Sequence, residues 1–154
     1  MIQRIQSLLL LIAAAISIAI NFFTIGTISY AEPGLPQMVA EYNAFSLSIP
    51  ATGTVLHYTF WIAVLWIVSA VLSIVTIFMY KNRQRQIRLN GVNMLVMLAA
   101  LVTMLFIYPN MVFNTDVVFN RWILLSLIPA VCLFFANKFI KKDEAKVRAA
   151  DRLR

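Results

Sequence analysis

A chain of 154 residues that is 62% apolar and only 12% charged carries more hydrophobic material than a soluble domain of its size can hide; an ordinary globular domain runs at roughly 45–50% apolar and 25% charged. Four spans of roughly 20 residues each would absorb most of that material, so the composition excludes a soluble enzyme and predicts an all-α membrane protein, a bundle of four transmembrane helices. The net charge of +7 suits a nucleic-acid binder only until it is mapped onto that topology.

The first span is expected over residues 5–23, where an uncharged run follows Arg4. Arg4 ahead of an apolar stretch and Ser29-Tyr30-Ala31 as a small-x-small site also fit a cleaved signal peptide. The apolar region exceeds the usual 7–15 residues, however, and is read as a retained span. An outer loop, 27–57, follows. It is longer than the roughly 12–15 residues beyond which a connection usually has structure or function of its own. Glu32-Pro33-Gly34-Leu35-Pro36 is a turn region. Phe45, Leu47 and Ile49 then alternate with Ser46 and Ser48, the period-2 pattern of a strand with one apolar face. A lone strand is unstable, so this one is expected to form a hairpin with residues 25–30 or to take an edge from a partner protein. Phe45, Leu47 and Ile49 are accordingly candidate partner contacts. His57, beside Tyr58, is read as an interfacial side chain, with no second His or Cys nearby for a metal.

A second span is expected over 58–80, a basic loop over Lys81–Arg88, and a third span over 89–108. Pro109-Asn110 should stop that helix, because proline disfavours helical geometry at the residue before it. The fourth span, 122–139, contains Pro129, expected to kink it. It also holds Cys132, the single cysteine, buried too deep to be reactive. The tail, 140–154, reads as a basic continuation of the fourth helix, with Ala145, Ala149 and Ala150 as helix formers and Glu144–Arg148 as an i,i+4 pair in the favourable order.

Orientation follows from the basic residues, since Lys and Arg in short loops mark the cytoplasmic side. Twelve of the 13, all but Arg121, fall at the N-terminus, in Lys81–Arg88, or from Lys138 at the inner end of the fourth span onward, which places both termini in the cytoplasm. Tyr58, Trp61, Tyr108 and Trp122 then lie near the outer interface and Tyr80 near the inner one, as an aromatic belt requires. Attraction to anionic phospholipid headgroups, about 1 kcal/mol per basic residue near the surface, accounts for the charge. A ribosome or other nucleic acid remains only a competing partner for the tail.

One cysteine and one histidine are too few for a disulfide, a Cys-x-x-Cys site or a bis-His haem, and no cofactor is expected. The spans contain no Asp, Glu, Lys, Arg or His in their apolar cores, the usual mark of a proton relay or ion path. They carry small and neutral polar stripes instead: Ala13, Ser17 and Asn21; Ser69, Ser73 and Thr76; Asn93, Met97, Ala100 and Met104; Ser126, Ala130, Leu133 and Asn137. Such stripes bring helix backbones together and form interhelical hydrogen bonds, so Ser17, Asn21, Ser73 and Asn93 are expected to be packing residues.

The opening Met1-Ile2-Gln3-Arg4-Ile5-Gln6-Ser7, the basic loop running straight into a span, and the ending Lys142-Asp143-Glu144 through Val147-Arg148-Ala149-Ala150-Asp151-Arg152-Leu153-Arg154 resemble one uncharacterised family. It is a family of four-span inner-membrane proteins of Bacteroidota, catalogued as a domain of unknown function. The resemblance covers the whole chain and implies a Gram-negative inner-membrane location. It brings no catalytic residues with it.

By exclusion, the expected function is a noncatalytic accessory or scaffold subunit of a larger inner-membrane assembly. Contacts with other inner-membrane proteins would be made through the outer loop and through Arg148, Arg152 and Leu153 of the tail. The competing class is a small transporter or lipid-handling protein working through a neutral polar cavity.

Overall fold

The computed structural model describes residues 2–30, 38–80, 82–113 and 116–152. Helix α1 (Ile2–Ala19) runs into a 3-10 turn, Ile20–Phe22, and the backbone becomes extended at Phe23. Strands β1 (Gly26–Tyr30), β2 (Met38–Tyr42), β3 (Ser46–Ile49) and β4 (Thr54–Tyr58) come next, then α2 (Phe60–Phe78) and α3 (Arg83–Val102). Beyond α3 the helix widens into a π-helical stretch, Thr103–Phe113; β5 (Val118–Phe119) and a 3-10 stretch, Arg121–Ser126, then lead into α4 (Leu127–Arg152). Around the bundle the neighbours run α1, α2, α3, α4 and back to α1. Among the described residues, four helices are long and apolar enough to cross a membrane.

The chain is therefore not all-α. An antiparallel sheet of order β4-β3-β2-β1-β5 closes one end of the bundle. The alternating segment does form a strand, but its mates are β2 and β4; residues 26–30 pair with β2 and β5 instead. Short local turns decide this. The Asn43 Oδ1 accepts from the backbone N–H of Phe45 at 2.9 Å and of Ser46 at 2.8 Å, folding β3 back on β2. Gly53, at φ 67°, adopts a backbone that other residues resist and folds β4 back on β3.

Helix boundaries move as well. Tyr58 is still strand, so α2 begins at Phe60. The α3 helix begins at Arg83, before the expected Leu89, because the Asn82 side chain caps it by accepting from Arg85 N–H at 3.3 Å. Pro129 is the third residue of α4, at the hand-over from the 3-10 stretch, rather than deep inside the helix. Pro109 does not end the third helix, which continues past it to Phe113. In π geometry the N–H of residue 109 would pair with the carbonyl five residues back, that of Met104; proline has no N–H to give. The Tyr42 hydroxyl donates to the Met104 carbonyl instead, at 3.1 Å. A hydroxyl from the sheet thus replaces the missing donor and fastens β2 to the bundle.

One continuous apolar core joins the two parts. Ile28, Ala40, Tyr42 and Leu47 from the sheet pack in the same cluster as Ile20, Ile62, Met104 and Leu133 from the helical layer. Thr59, fully buried at the joint between β4 and α2, donates its hydroxyl to the Asn43 carbonyl at 2.9 Å and its N–H to the Phe45 carbonyl at 2.8 Å. On β1, a Cβ at Gly26 would lie 2.7 Å from Val117 Cγ1 and 3.0 Å from the Val118 carbonyl oxygen. Gly26→Ala is therefore expected to push β5 off the sheet and cost about 1–3 kcal/mol, read as a lowered unfolding midpoint in detergent, whereas Gly91→Ala, with open space around it, should not.

Candidate functional site

The interior of the bundle is a polar seam. Ser69 Oγ donates to Asn93 Oδ1 at 2.8 Å, Asn93 Nδ2 donates to Ser73 Oγ at 2.8 Å, and Ser73 Oγ passes its hydrogen to the Ser69 carbonyl at 3.0 Å. This closed ring locks α2 to α3. One level further from the sheet, Gln86 Nε2 donates to the Thr76 carbonyl at 3.1 Å, and Asn90 Nδ2 crosses to the Leu133 carbonyl on α4 at 3.0 Å. Gln86 and Asn90 belong to this seam although the polar stripes read from the sequence stop at Asn93. Their signal was the i, i+4, i+7 spacing of Gln86, Asn90 and Asn93, obscured because the first two lie at the basic end of the helix.

Ser17 and Asn21 are buried on α1 as the spacing suggests, but Asn21 does not bridge helices. Its amide donates to the carbonyls of Ser17 and Ile18 on its own helix, at 2.9 and 3.1 Å, because α1 is leaving α geometry there and frees them. Ser17 Oγ, Asn21 Oδ1, Gln6 Nε2, Trp66 Nε1, Asn90 Oδ1 and Asn137 Oδ1 are buried with no hydrogen-bond partner among the described residues. The seam has polar capacity to spare. Among the described residues, no three His, Cys, Asp or Glu side chains come together to hold a metal ion.

Outside, the pattern is inverted. Along α2, Val64, Ile67, Val71, Ile74 and Phe78 are exposed, while Ser69, Ser73 and Thr76 are fully buried. A water-facing bundle would be arranged the other way round.

The sheet places the outer-loop candidates differently from one another. Leu47 and Ile49 face the core, 1% and 8% exposed, so within this chain their apolar face is already covered, because β3 lies inside the sheet with its alternate side chains turned toward the helices. Phe45, at the turn before β3, is exposed. Exposure concentrates instead on β4, where every residue is exposed and Val55, Leu56 and Tyr58 present apolar surface. β4 pairs with β3 only, and among the described residues no strand lies on its other side. The Thr59-to-Phe45 bond makes Ser46 and Tyr58 a non-hydrogen-bonded pair. The Tyr58 amide therefore points away from β3, toward the open edge. Sequence reading missed this edge because Thr54–Tyr58 blends into the apolar run of α2.

At the opposite end, α4 continues without a break to Arg152. Arg83 Nη1 donates to the Asp143 carbonyl at 3.1 Å and lies 3.7 Å from its carboxylate, holding the start of the tail against α3. The Glu144–Arg148 pair forms at 2.9 Å, but Arg148 is largely exposed, so the pair contributes only about 0.3–0.5 kcal/mol. Leu153 and the side chain of Arg152 lie outside the described residues.

The family model described as "Domain of unknown function (DUF4293)" matches residues 2–153. The chain belongs to that family. The matched range takes in all four helices, all five strands and nearly the whole basic tail, so the capped bundle is the DUF4293 unit. No curated protein and no solved structure shows a significant match to this DUF4293 chain.

Proposed function

We propose that this protein is a noncatalytic accessory or scaffold subunit of a bacterial inner-membrane assembly, spanning the bilayer four times with both termini in the cytoplasm and the sheet as a periplasmic cap. The inverted exterior supports insertion: the helices turn aliphatic side chains outward and keep their hydroxyls and amides inside, the arrangement a lipid solvent favours. Placement of the basic residues at the end opposite the sheet supports the orientation.

The observation that carries the scaffold reading is the open edge of β4. Soluble and membrane proteins alike guard an exposed edge with Lys, Pro, a bulge that twists it away, or a covering segment. Thr54-Val55-Leu56-His57-Tyr58 has no charge and no proline; its one irregularity is a bulge at Leu56, where Leu47 faces His57 and Ser48 faces Val55, and among the described residues no segment covers its outer side. An extended segment of a partner inner-membrane protein would add to it as a sixth strand, main chain giving affinity and the exposed side chains of Val55, Leu56 and Tyr58 giving selectivity. The basic tail offers a second contact, to anionic phospholipids and to an acidic partner surface. The competing transporter reading is served by the unpartnered amides of the seam, but the ring of Ser69, Ser73 and Asn93 closes on itself and is built to hold helices together.

A reporter active only in the cytoplasm should work after Arg154 and fail when inserted at Gln37; activity at Gln37 would overturn the orientation. Purification in gentle detergent should then bring down at least one other membrane protein at fixed stoichiometry. A preparation containing this chain alone would overturn the scaffold reading.

A further inference from the structure

An open groove lies between α3 and α4, on the outside of the bundle. It measures about 230 Å³ and is lined by Met94, Leu95, Met97, Leu98, Leu101 and Ala130. Every one of these is apolar. Leu95 and Leu98 are 68% and 58% exposed, so the groove opens sideways rather than into the core.

Two features give it a polar lower end. Asn137, seven residues along α4 from Ala130 and on the same stripe, places its Nδ2 3.9 Å from Met94 Sδ and leaves its Oδ1 buried and unpartnered. Below that, Arg88 continues the line of Leu95 along α3, and Lys141 continues the line of Ala130 and Asn137 along α4. Both are exposed. Arg83, by contrast, is engaged by Asp143. Between the groove and Arg88 stands Gly91, with open space where a side chain would be.

The depth fits one class of occupant. Taking Leu89 as the inner edge of the bilayer, a rise of 1.5 Å per residue puts Met94 to Leu101 about 8–18 Å into the hydrocarbon. The cytoplasmic leaflet fills about half of a ~30 Å core. A lipid tail from that leaflet reaches this depth while its headgroup sits at Arg88 and Lys141.

We propose that the α3–α4 groove is a binding site for one anionic diacyl phospholipid of the cytoplasmic leaflet, its acyl chain lying over Leu95, Leu98 and Ala130 past Gly91, and its phosphate held between Arg88 and Lys141. The site rests on the membrane-spanning orientation proposed above and is independent of the scaffold role. It differs from diffuse attraction of lipids to the tail in that it depends on two particular basic residues and on an unfilled groove.

The test uses the full chain reconstituted into vesicles with spin-labelled phosphatidylglycerol or spin-labelled phosphatidylcholine. Electron paramagnetic resonance then reads the motionally restricted lipid. Phosphatidylglycerol should be preferred, and Arg88→Gln with Lys141→Gln should reduce the preference by roughly fivefold per residue. Removing the same charge further along the tail, with Lys146→Gln and Arg148→Gln, five and seven residues past Lys141 on α4, should reduce it far less. Gly91→Leu, which fills open space and suits a helix better than glycine, should remove one restricted lipid per chain while leaving the protein folded. Equal losses from the two charge pairs, or an unchanged restricted population in Gly91→Leu, would overturn the site. Failure of the chain to enter vesicles at all would overturn the membrane reading and the site together.

Discussion

Trp66→Ala is expected to lower the unfolding free energy by about 3–5 kcal/mol, the usual cost of truncating a fully buried large aromatic. Trp66 is 0% exposed on α2, packed in the cluster that includes Ile62 and Ala63. Its Nε1 has no partner, so the loss is one of packing alone. Where lipid tails solvate the outside, helix association draws on van der Waals contact rather than on water exclusion. A cavity at the centre of the bundle is then felt almost in full. Trp61, five residues nearer the sheet, is 59% exposed and lies tilted against Phe60 at 4.5 Å between ring centroids. Trp61→Ala should change stability by no more than about 0.5 kcal/mol. Denaturant unfolding of the two variants in detergent compares them directly, and equal losses would contradict the assigned inside and outside of α2.

The second large effect concerns the joint between the sheet and the bundle. Tyr42→Phe removes the hydroxyl that serves the Met104 carbonyl. An unserved buried acceptor costs about 1–3 kcal/mol. Because Pro109 cannot give that carbonyl the i+5 N–H of π geometry, Pro109→Ala should supply one and shrink the cost of Tyr42→Phe. A double-mutant cycle measures this coupling; strictly additive losses would reject the account. Alkali gives an independent reading. Burial pushes the Tyr42 phenol above its ordinary range, with the charge of Tyr108 adding to the effect. The folded state therefore holds this proton more tightly than the unfolded chain, and the contribution of Tyr42 to stability should fall as pH rises above about 10. In Tyr42→Phe that part of the alkaline slope should vanish.

What could be read in advance follows from the range of the interactions. Twenty-residue apolar runs are a local property of the chain, and α1, α2, α3 and α4 fall where such runs stand. The tail is also largely local: alanines and the Glu144–Arg148 spacing favour a helix within the segment itself, and it is helical to Arg152. The sheet depends on partners far apart in the chain. Val118 lies against Thr27, ninety-one residues earlier, and nothing near Val118 announces a strand of two residues. The inner face of β2 is made partly of Ala40, too small to register as an apolar alternation. Pro109 misleads in the other direction. Its local rule ends a helix, but a π-helical register together with one distant tyrosine overrides the rule. At the candidate site the same division holds. Ser73 and Asn93 were found by spacing, whereas the open edge of β4 exists only because β3 lies on one side of it and nothing described lies on the other.

That edge is the most direct test of the scaffold reading. Val55→Lys changes an exposed side chain on an edge strand, where a lysine is the ordinary guard against strand addition and leaves the sheet itself intact. The measurement is the stoichiometry of co-purifying membrane proteins in gentle detergent, for the native chain and for Val55→Lys at matched levels of folded protein. The account predicts a fixed-ratio partner with the native chain and at least a tenfold loss of it with the lysine. The same partner at the same ratio in both would contradict docking on β4.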